Sequence, residues 1–405
     1  MRLLPAEGWQ RNQLVVTAMV FVVFTGFAFV LPFLPLYVRQ LGVRGEEAVA
    51  LWGGILIGVA PLLAGLLAPV WGRLADRHGQ KAMAVRALAA YVVLLLLSAV
   101  ATNVWQLFAL RVGVGLFGGI GPLGLAMATS LAPREQTGRA VGLVQSAQIL
   151  SAAVGPLAGG YLADWIGIPR TFVVAALLCA GTLFLVVRYY EEPPLTEAAG
   201  PRPSRPLSEV LRLPGLTGLL VVLFLVNFVG RSFTPILPLY LPSLGVATAR
   251  LASATGLLIS AYSMTAALSA AGLGRATRRH SPRLLLFGSL LGGAATVLPM
   301  ALVTTFSGML LLALLLGLVS GGALTLAYTI GGLTVPEAHR ATAFGFFSAA
   351  ALFGGAVSPS VAGLLVRWDL RGIYYLDTAV FAVLALALLP ALQPSAPAVS
   401  RAGEG

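Results

Sequence analysis

Twelve apolar stretches follow one another along the 405 residues, separated by short polar connections. They lie at roughly 13–38, 49–71, 82–101, 105–130, 139–165, 169–189, 216–242, 249–273, 283–304, 306–333, 341–366 and 371–391. A helix needs about 20 apolar residues to cross the hydrocarbon of a bilayer. Each stretch is close to that length or above it. Hydrophobic residues make up 58% of the chain and its mean hydropathy is +0.91, more apolar surface than a protein in water can hide. In lipid the same surface faces its own kind, provided that the backbone satisfies itself within helices. The expected fold is all-α, with twelve transmembrane helices.

The formal net charge of +12 does not read as a nucleic-acid surface, because the basic residues are scattered over short loops. With the N-terminus placed inside, eighteen Lys and Arg fall on the inner side and six on the outer, while Arg111 and Arg231 lie within spans. That bias predicts both termini in the cytoplasm. All six tryptophans sit at or near segment ends, as an interfacial aromatic belt requires. The first apolar run is longer than a signal-peptide core and reads as a span. Cys179, the one cysteine, excludes an internal disulfide.

The chain repeats itself. Pro32-Phe33-Leu34-Pro35-Leu36-Tyr37 returns as Pro235-Ile236-Leu237-Pro238-Leu239-Tyr240, and Pro133, Gly142 and Pro156 return as Pro336, Gly345 and Pro359. A proline-rich polar stretch from Glu191 to Pro206 separates the copies and reads as a linker. The expected order is a six-helix bundle over 1–190, a cytoplasmic linker over 191–215 and a second, pseudo-symmetric bundle over 216–391. A disordered cytoplasmic tail over 392–405 completes it. A short amphipathic piece at 207–213 is expected on the membrane surface. Two such halves are a transporter architecture, with the substrate site between them near the midplane.

A charged island, Gly72-Arg73-Leu74-Ala75-Asp76-Arg77-His78-Gly79-Gln80-Lys81, joins the second and third stretches. Its pattern of spaced Gly, Asp and basic residues resembles the signature loop of the major facilitator superfamily. A loop that only set topology would need neither Asp76 nor two glycines. A second copy, from Gly274 to Arg283, keeps the basic residues and the histidine but has Arg278 in place of Asp76. The resemblance implies a gating role for Gly72, Arg73, Asp76, Arg77, Gly79 and Lys81. Arg73, Arg77 and Arg340 are the candidate partners of Asp76, which is expected to start the third helix, where a carboxylate suits the positive helix end.

In the fifth stretch, Gly155-Pro156-Leu157-Ala158-Gly159-Gly160 resembles the motif of drug:proton antiporters in that superfamily. Proline removes a helix hydrogen bond and bends the helix, and the three glycines allow close approach of a neighbour. Arg111, in the fourth stretch, resembles the superfamily's RxxxG arginine, linked there to the central cavity and proton transfer. Snorkelling to the headgroups is its structural alternative. The formal Gly113-x-Gly115-x-x-Gly118 fingerprint follows no strand and is rejected as a dinucleotide site.

Arg231 and Asn227 in the seventh stretch, with Gln145 and Gln148 in the fifth, add polar groups at membrane depth. Together with Arg111 they are the expected cavity lining. Thirteen of the 14 acidic residues fall in loops, at helix ends or in tails. Asp377 alone is a candidate for the membrane interior, or else an interfacial helix start. That leaves the proton route open, and two buried arginines favour an anionic or neutral amphiphilic substrate over a cationic one.

The expected function is export of small amphiphilic compounds in exchange for protons, by a monomer in the bacterial cytoplasmic membrane. A carrier of one metabolite, such as a sugar or organic anion, is the alternative. A non-transporting receptor or scaffold has no need of the gating loop or the Gly-Pro helix. There is no nucleotide loop, metal cluster or nucleophile with a base, so no enzyme activity and no cofactor are expected, and energy would come from an ion gradient.

Overall fold

A computed structural model describes residues 8–192, 215–336 and 339–392. Twelve helical spans cross it: α1 (Gly8–Gln40), α2 (Glu46–His78), α3 (Gln80–Ala99), α4 (Val104–Leu131), α5 (Thr137–Ile166), α6 (Ile168–Tyr189), α7 (Leu216–Leu244), α8 (Thr248–Ala276), α9 (Pro282–Met300), α10 (Phe306–Thr334), α11 (Arg340–Leu365) and α12 (Gly372–Leu392). There is no strand among the described residues. The amphipathic piece at 207–213, the linker beyond Glu192 and the tail after Leu392 lie outside them. Because the number of spans is even, the start of α1, the end of α12 and both ends of the linker share one side. We call it the linker side and its opposite the far side.

The internal repeat has a structural counterpart. Tyr37, from the first PFLPLY copy, donates its hydroxyl to the Ser98 carbonyl at the far end of α3 (2.8 Å). Tyr240, from the second copy, donates to Val303 O beyond α9 (3.2 Å). Each half thus fastens its first span to its third by a buried tyrosine, and the duplicated sequence preserves that fastening.

Four spans are interrupted, and they are pseudo-equivalent. α1 breaks at residues 29–33, α4 at 117–119, α7 at 233–236 and α10 at 321–322. The sequence segments were continuous across all four. Pro32, Pro35, Pro235 and Pro238 at two breaks, and paired glycines at the others, are the local cause: prolines withhold N–H donors and glycines weaken the helix.

The halves meet on the far side. Along α2 the buried residues run from Val49 to Ala60, and only Ala75 follows. Along α8 they run from Leu251 to Ser260, and only Ser269 follows. Two helix crossings make this contact. In one, α5 packs on α8; in the other, α2 packs on α11. A Cβ at Gly256 would stand 2.1 Å from Pro156 O, and one at Gly160 would stand 2.4 Å from Ala252 O. The mates across the pseudo-symmetry are Gly54, whose Cβ would stand 2.0 Å from Pro359 O, and Gly363, at 2.4 Å from Ala50 O. Only a residue without a side chain lets backbone lie on backbone so closely.

The signature loop is shorter than the sequence suggests. α2 stays helical through His78, and Gly79 alone breaks it, with φ +91°. Asp76 therefore lies in the last turn of α2 and does not start α3. Residues 73–77 contain no helix breaker, and the first residue free to take a left-handed conformation comes at Gly79. Gly72 lies inside the helix. Trp71 is half-buried and its indole N–H donates to Leu116 O of α4, whereas Trp105, Trp165 and Trp368 remain largely exposed.

A valine at Gly54 or Gly256 is expected to cost about 1–3 kcal/mol of far-side packing by overfilling a crossing. The check is a lowered Tm of the purified protein in detergent, with a valine at half-buried Gly142, where a Cβ would meet nothing within 4 Å, as the control.

Candidate functional site

α7 supplies the charged lining of a cavity. Its long helical part ends at Ser232, and the last turns before the break place Asn227, Gly230 and Arg231 along a cavity of about 200 Å³. Tyr262 of α8, Ser320 of α10 and Phe381 of α12 complete the wall. The Arg231 side chain is exposed to this space, and no ion pair among the described residues compensates it. Asn227 turns its Oδ1 toward Gly355 of α11, where a Cβ would stand 2.6 Å away.

The five polar residues expected to line one cavity are separated. Asn227 and Arg231 belong to the cavity of the second half; Arg111, Gln145 and Gln148 are not part of its wall. Arg111 is 2% exposed, and its Nε donates to Leu56 O of α2 at 2.9 Å. It does not snorkel: its head is turned to protein inside the first half. Gln148 is half-buried against Gly121 of α4, and Gln145 is exposed.

Asp377 lies inside the protein. It is fully buried on α12, where its Oδ2 is hydrogen-bonded to Ser232 Oγ and its Oδ1 has no partner. Sequence reading left it between interface and core because it stands only five residues into α12.

On the linker side the charged loop is open. Arg73, Asp76 and Arg77 are exposed, and Asp76 forms no ion pair with either arginine. Arg73 Nε donates instead to Pro69 O in its own helix (3.3 Å). Arg340 begins α11, and its side chain lies outside the described residues. The carboxylate that caps α3 is that of Glu192, whose Oε1 accepts from Gln80 N and, at 3.4 Å, from Lys81 N. Lys81 Nζ donates to Tyr190 O at 2.7 Å. Glu191 is clipped to α1: Arg11 pairs with its carboxylate at 2.5 Å, and Asn12 exchanges two hydrogen bonds with its backbone. The start of the linker is thus seated on the loop. Burial, then the Glu192 charge, pushes the Tyr190 phenol up from its ordinary range, so it stays neutral there.

Two further residues serve the break in α4. Trp71 Nε1 donates to Leu116 O (2.9 Å), and Arg86 Nη2 donates to Phe117 O (3.3 Å). The Arg86 guanidinium also lies 3.4 Å from the centre of the Trp71 ring. A broken helix at membrane depth leaves carbonyls that need donors, and the stacked pair supplies them. Neither role was legible in sequence. The hint was an Arg placed one helix turn inside an apolar segment.

In the antiporter-type motif, Gly155 and Gly159 face α1, with Ala28 and Phe29 in contact range, while Gly160 faces α8 of the other half. Pro156 lies within an α5 that stays helical from Thr137 to Ile166. The next N–H, from Leu157, donates to Ser260 Oγ of α8 at 3.0 Å. Just beyond, Asp164 accepts from Ala252 N (3.2 Å) and Ser253 N (2.8 Å), at the start of the long helical part of α8.

Replacing Glu192 with Ala removes a helix cap and is expected to cost about 1 kcal/mol. Hydrogen exchange at the Gln80 and Lys81 amides should rise, while exchange in α9 should not change.

The profile of the Major Facilitator Superfamily matches residues 16–254 and 251–405. A multi-drug resistance efflux pump PmrA homolog of Lactococcus lactis subsp. lactis is 37% identical over 316 residues, which is 77% of this chain and 78% of that protein. The multidrug resistance protein MdtG of Salmonella arizonae is 34% identical over 326 residues, or 80% of each chain. Among solved structures, a bacterial homolog of the human lysosomal transporter Spinster, in an inward-facing and occupied conformation, matches with TM-score 0.77 at 16% identity. The match covers 94% of this chain and 96% of that one, and shows a shared fold. The interrupted spans and the far-side crossings described above are therefore those of a transporter, not an enzyme, and the chain belongs to the major facilitator superfamily.

Proposed function

We propose that the protein exports small amphiphilic compounds by alternating access in exchange for protons, as a monomer in a bacterial cytoplasmic membrane with both termini inside. One observation carries this reading. Among the described residues the halves are packed together on the far side, and Arg231, a cation with no ion pair there, faces a cavity beside the break of α7. With the linker side in the cytoplasm, this is a state that takes substrate from within. The names of the relatives, multidrug efflux and resistance proteins, support the substrate class.

In this reading Arg231 and Asn227 hold the polar end of the substrate, and Tyr262 and Phe381 contact its apolar body. An uncompensated guanidinium favours anionic or neutral compounds over cations. Arg111 orients α4 against α2, and Gln148 faces the α1–α4 side. Asp76, with Arg73, Arg77, Arg340 and Lys81, forms the linker-side gate. Those groups come together when the halves close over the loop, so an Asp76 unpaired with Arg73 and Arg77 fits the state seen here. Gly155, Pro156, Gly159 and Gly160 are the seam on which α5 turns against α1 and α8.

The test is accumulation of ethidium, Hoechst 33342 and calcein in cells producing the protein, with and without an uncoupler. Accumulation of several dyes should fall, and the effect should vanish with uncoupler. The Asp76→Asn variant should lose export while keeping its Tm, because Asp76 makes no ion pair among the described residues in this state. Arg231→Glu should shift preference from calcein toward ethidium. Saturable transport of a single compound would instead favour a dedicated carrier, and no change for any dye would overturn the multidrug reading.

A further inference from the structure

We propose that Asp377 is the proton-binding group of the transport cycle, and that Ser232 links its protonation to the break in α7. This deepens the exporter reading and rests on it for the word transport, though the proton site itself is tested separately.

The argument is a count of hydrogens. Ser232 Oγ stands within hydrogen-bond distance of two oxygens, Val229 O at 3.0 Å and Asp377 Oδ2. A serine hydroxyl carries one hydrogen, a carbonyl none and an ionised carboxylate none. Three oxygens joined by two hydrogen bonds need two hydrogens. Only the carboxyl group can supply the second. The satisfied arrangement is Asp377 O–H donating to Ser232 Oγ, and Ser232 O–H donating to Val229 O.

Val229 O needs that donor because of the break. In a continuing helix Phe233 N–H would reach it, but Phe233 N–H turns to Arg231 O. If the carboxyl loses its proton, the single serine hydrogen is drawn to the carboxylate, since hydrogen bonds to charged acceptors are the stronger. Val229 O is then left unpaired in a buried position, which is costly. Proton loss therefore loosens the last turn of α7 before its break, and proton gain secures it. The step is a protonation alone: the carboxylate takes one proton and returns one, with no other bond changed.

The surroundings offer no competing explanation. Asp377 is fully buried and its second oxygen has no partner. Of the titratable and charged groups around it, Tyr374 of α12 and Tyr262 of α8 are close enough to feel its charge. α7 contributes Arg231, which makes no ion pair with it, and Tyr240 lies beside Tyr374 with ring centres 5.7 Å apart. α9 carries only Arg283, in its first turn, and α11 only Arg340, at its first residue. A structural ion pair would need a base here, and none is present among the described residues. Phe381, one helix turn along α12, lines the Arg231 cavity, so the proton site stands directly behind the cavity wall.

The experiment uses the full chain in phosphatidylethanolamine–phosphatidylglycerol vesicles, with calcein and Hoechst 33342 as probes. In wild type, a pH gradient should drive accumulation of a probe, and exchange should proceed at equal pH. Asp377→Asn keeps the hydrogen-bond donor but cannot release a proton. It should lose gradient-driven accumulation by roughly 5–150-fold, the range of ordinary coupling between sites, and keep equal-pH exchange. Ser232→Ala should lose gradient drive in the same way. Infrared difference spectra of the vesicles should show the carbonyl band of a buried protonated carboxylic acid in wild type, absent from Asp377→Asn. Undiminished gradient drive in Asp377→Asn, or an unchanged infrared band, overturns the proposal. If wild type moves no probe in either arm, the exporter reading fails. The infrared band then still decides whether Asp377 holds the proton.

Discussion

The structure depends on backbone lying on backbone at two helix crossings. Pro156 O over Gly256 and Pro359 O over Gly54 hold the halves together, and nothing larger than glycine fits at either place. In lipid no hydrophobic force draws apolar helices together, so close van der Waals contact has to do it. The same crossings explain why the chain is a duplication. A seam built from one Gly-Pro helix needs a second, facing the other way, to hold two halves symmetrically. Contact confined to the far side leaves the linker side free to part, and the cavity beside α7 lies behind the seam.

Interrupted helices set the second constraint. A span that breaks at membrane depth gains a hinge but exposes carbonyls. The protein serves them in two ways. At the α4 break, an indole and a guanidinium from the edge of the signature loop donate directly. At the α7 break, a serine hydroxyl does so, backed by a buried carboxyl. The first arrangement has fixed donors. The second has a donor whose hydrogen can be redirected. The loop on the linker side and the breaks inside the bundle are therefore connected physically through Trp71, one residue before Gly72.

Much of this was legible in the sequence. Twelve segments, the repeat and the Gly-Pro motif follow from apolar length and from residues that cannot be replaced by larger ones. The placement of Arg111 and Arg231 within apolar helices followed from their segments. What could not be read was which side chains meet. Arg111 and Arg231 look alike as lone cations in apolar runs, yet one is sealed against Leu56 O and the other faces open space. Asp76 looked like a helix start because the charged island from Gly72 looked like a connection between helices, but a single glycine costs a helix only about 1 kcal/mol relative to alanine. α2 absorbed it and ran on to Gly79. Glu192 read as part of a solvated linker, since nothing local says that a carboxylate returns across the chain to cap α3.

The two seams are alike in packing and unlike at their outer ends. At the far end of α5, Asp164 accepts two amide hydrogens at the start of the long helical part of α8, a carboxylate at a positive helix end. Its pseudo-symmetric counterpart is Arg367, which reaches Glu47 at 3.6 Å with both side chains more than half exposed. Exposed pairs of that kind hold weakly and are screened by salt. Duplication placed the same position at both corners, and divergence gave one a cap and the other a loose pair. The far side is thus fastened unevenly: equally tight in its backbone crossings, it carries a salt-resistant latch at the α5–α8 corner and a salt-sensitive one at the α2–α11 corner.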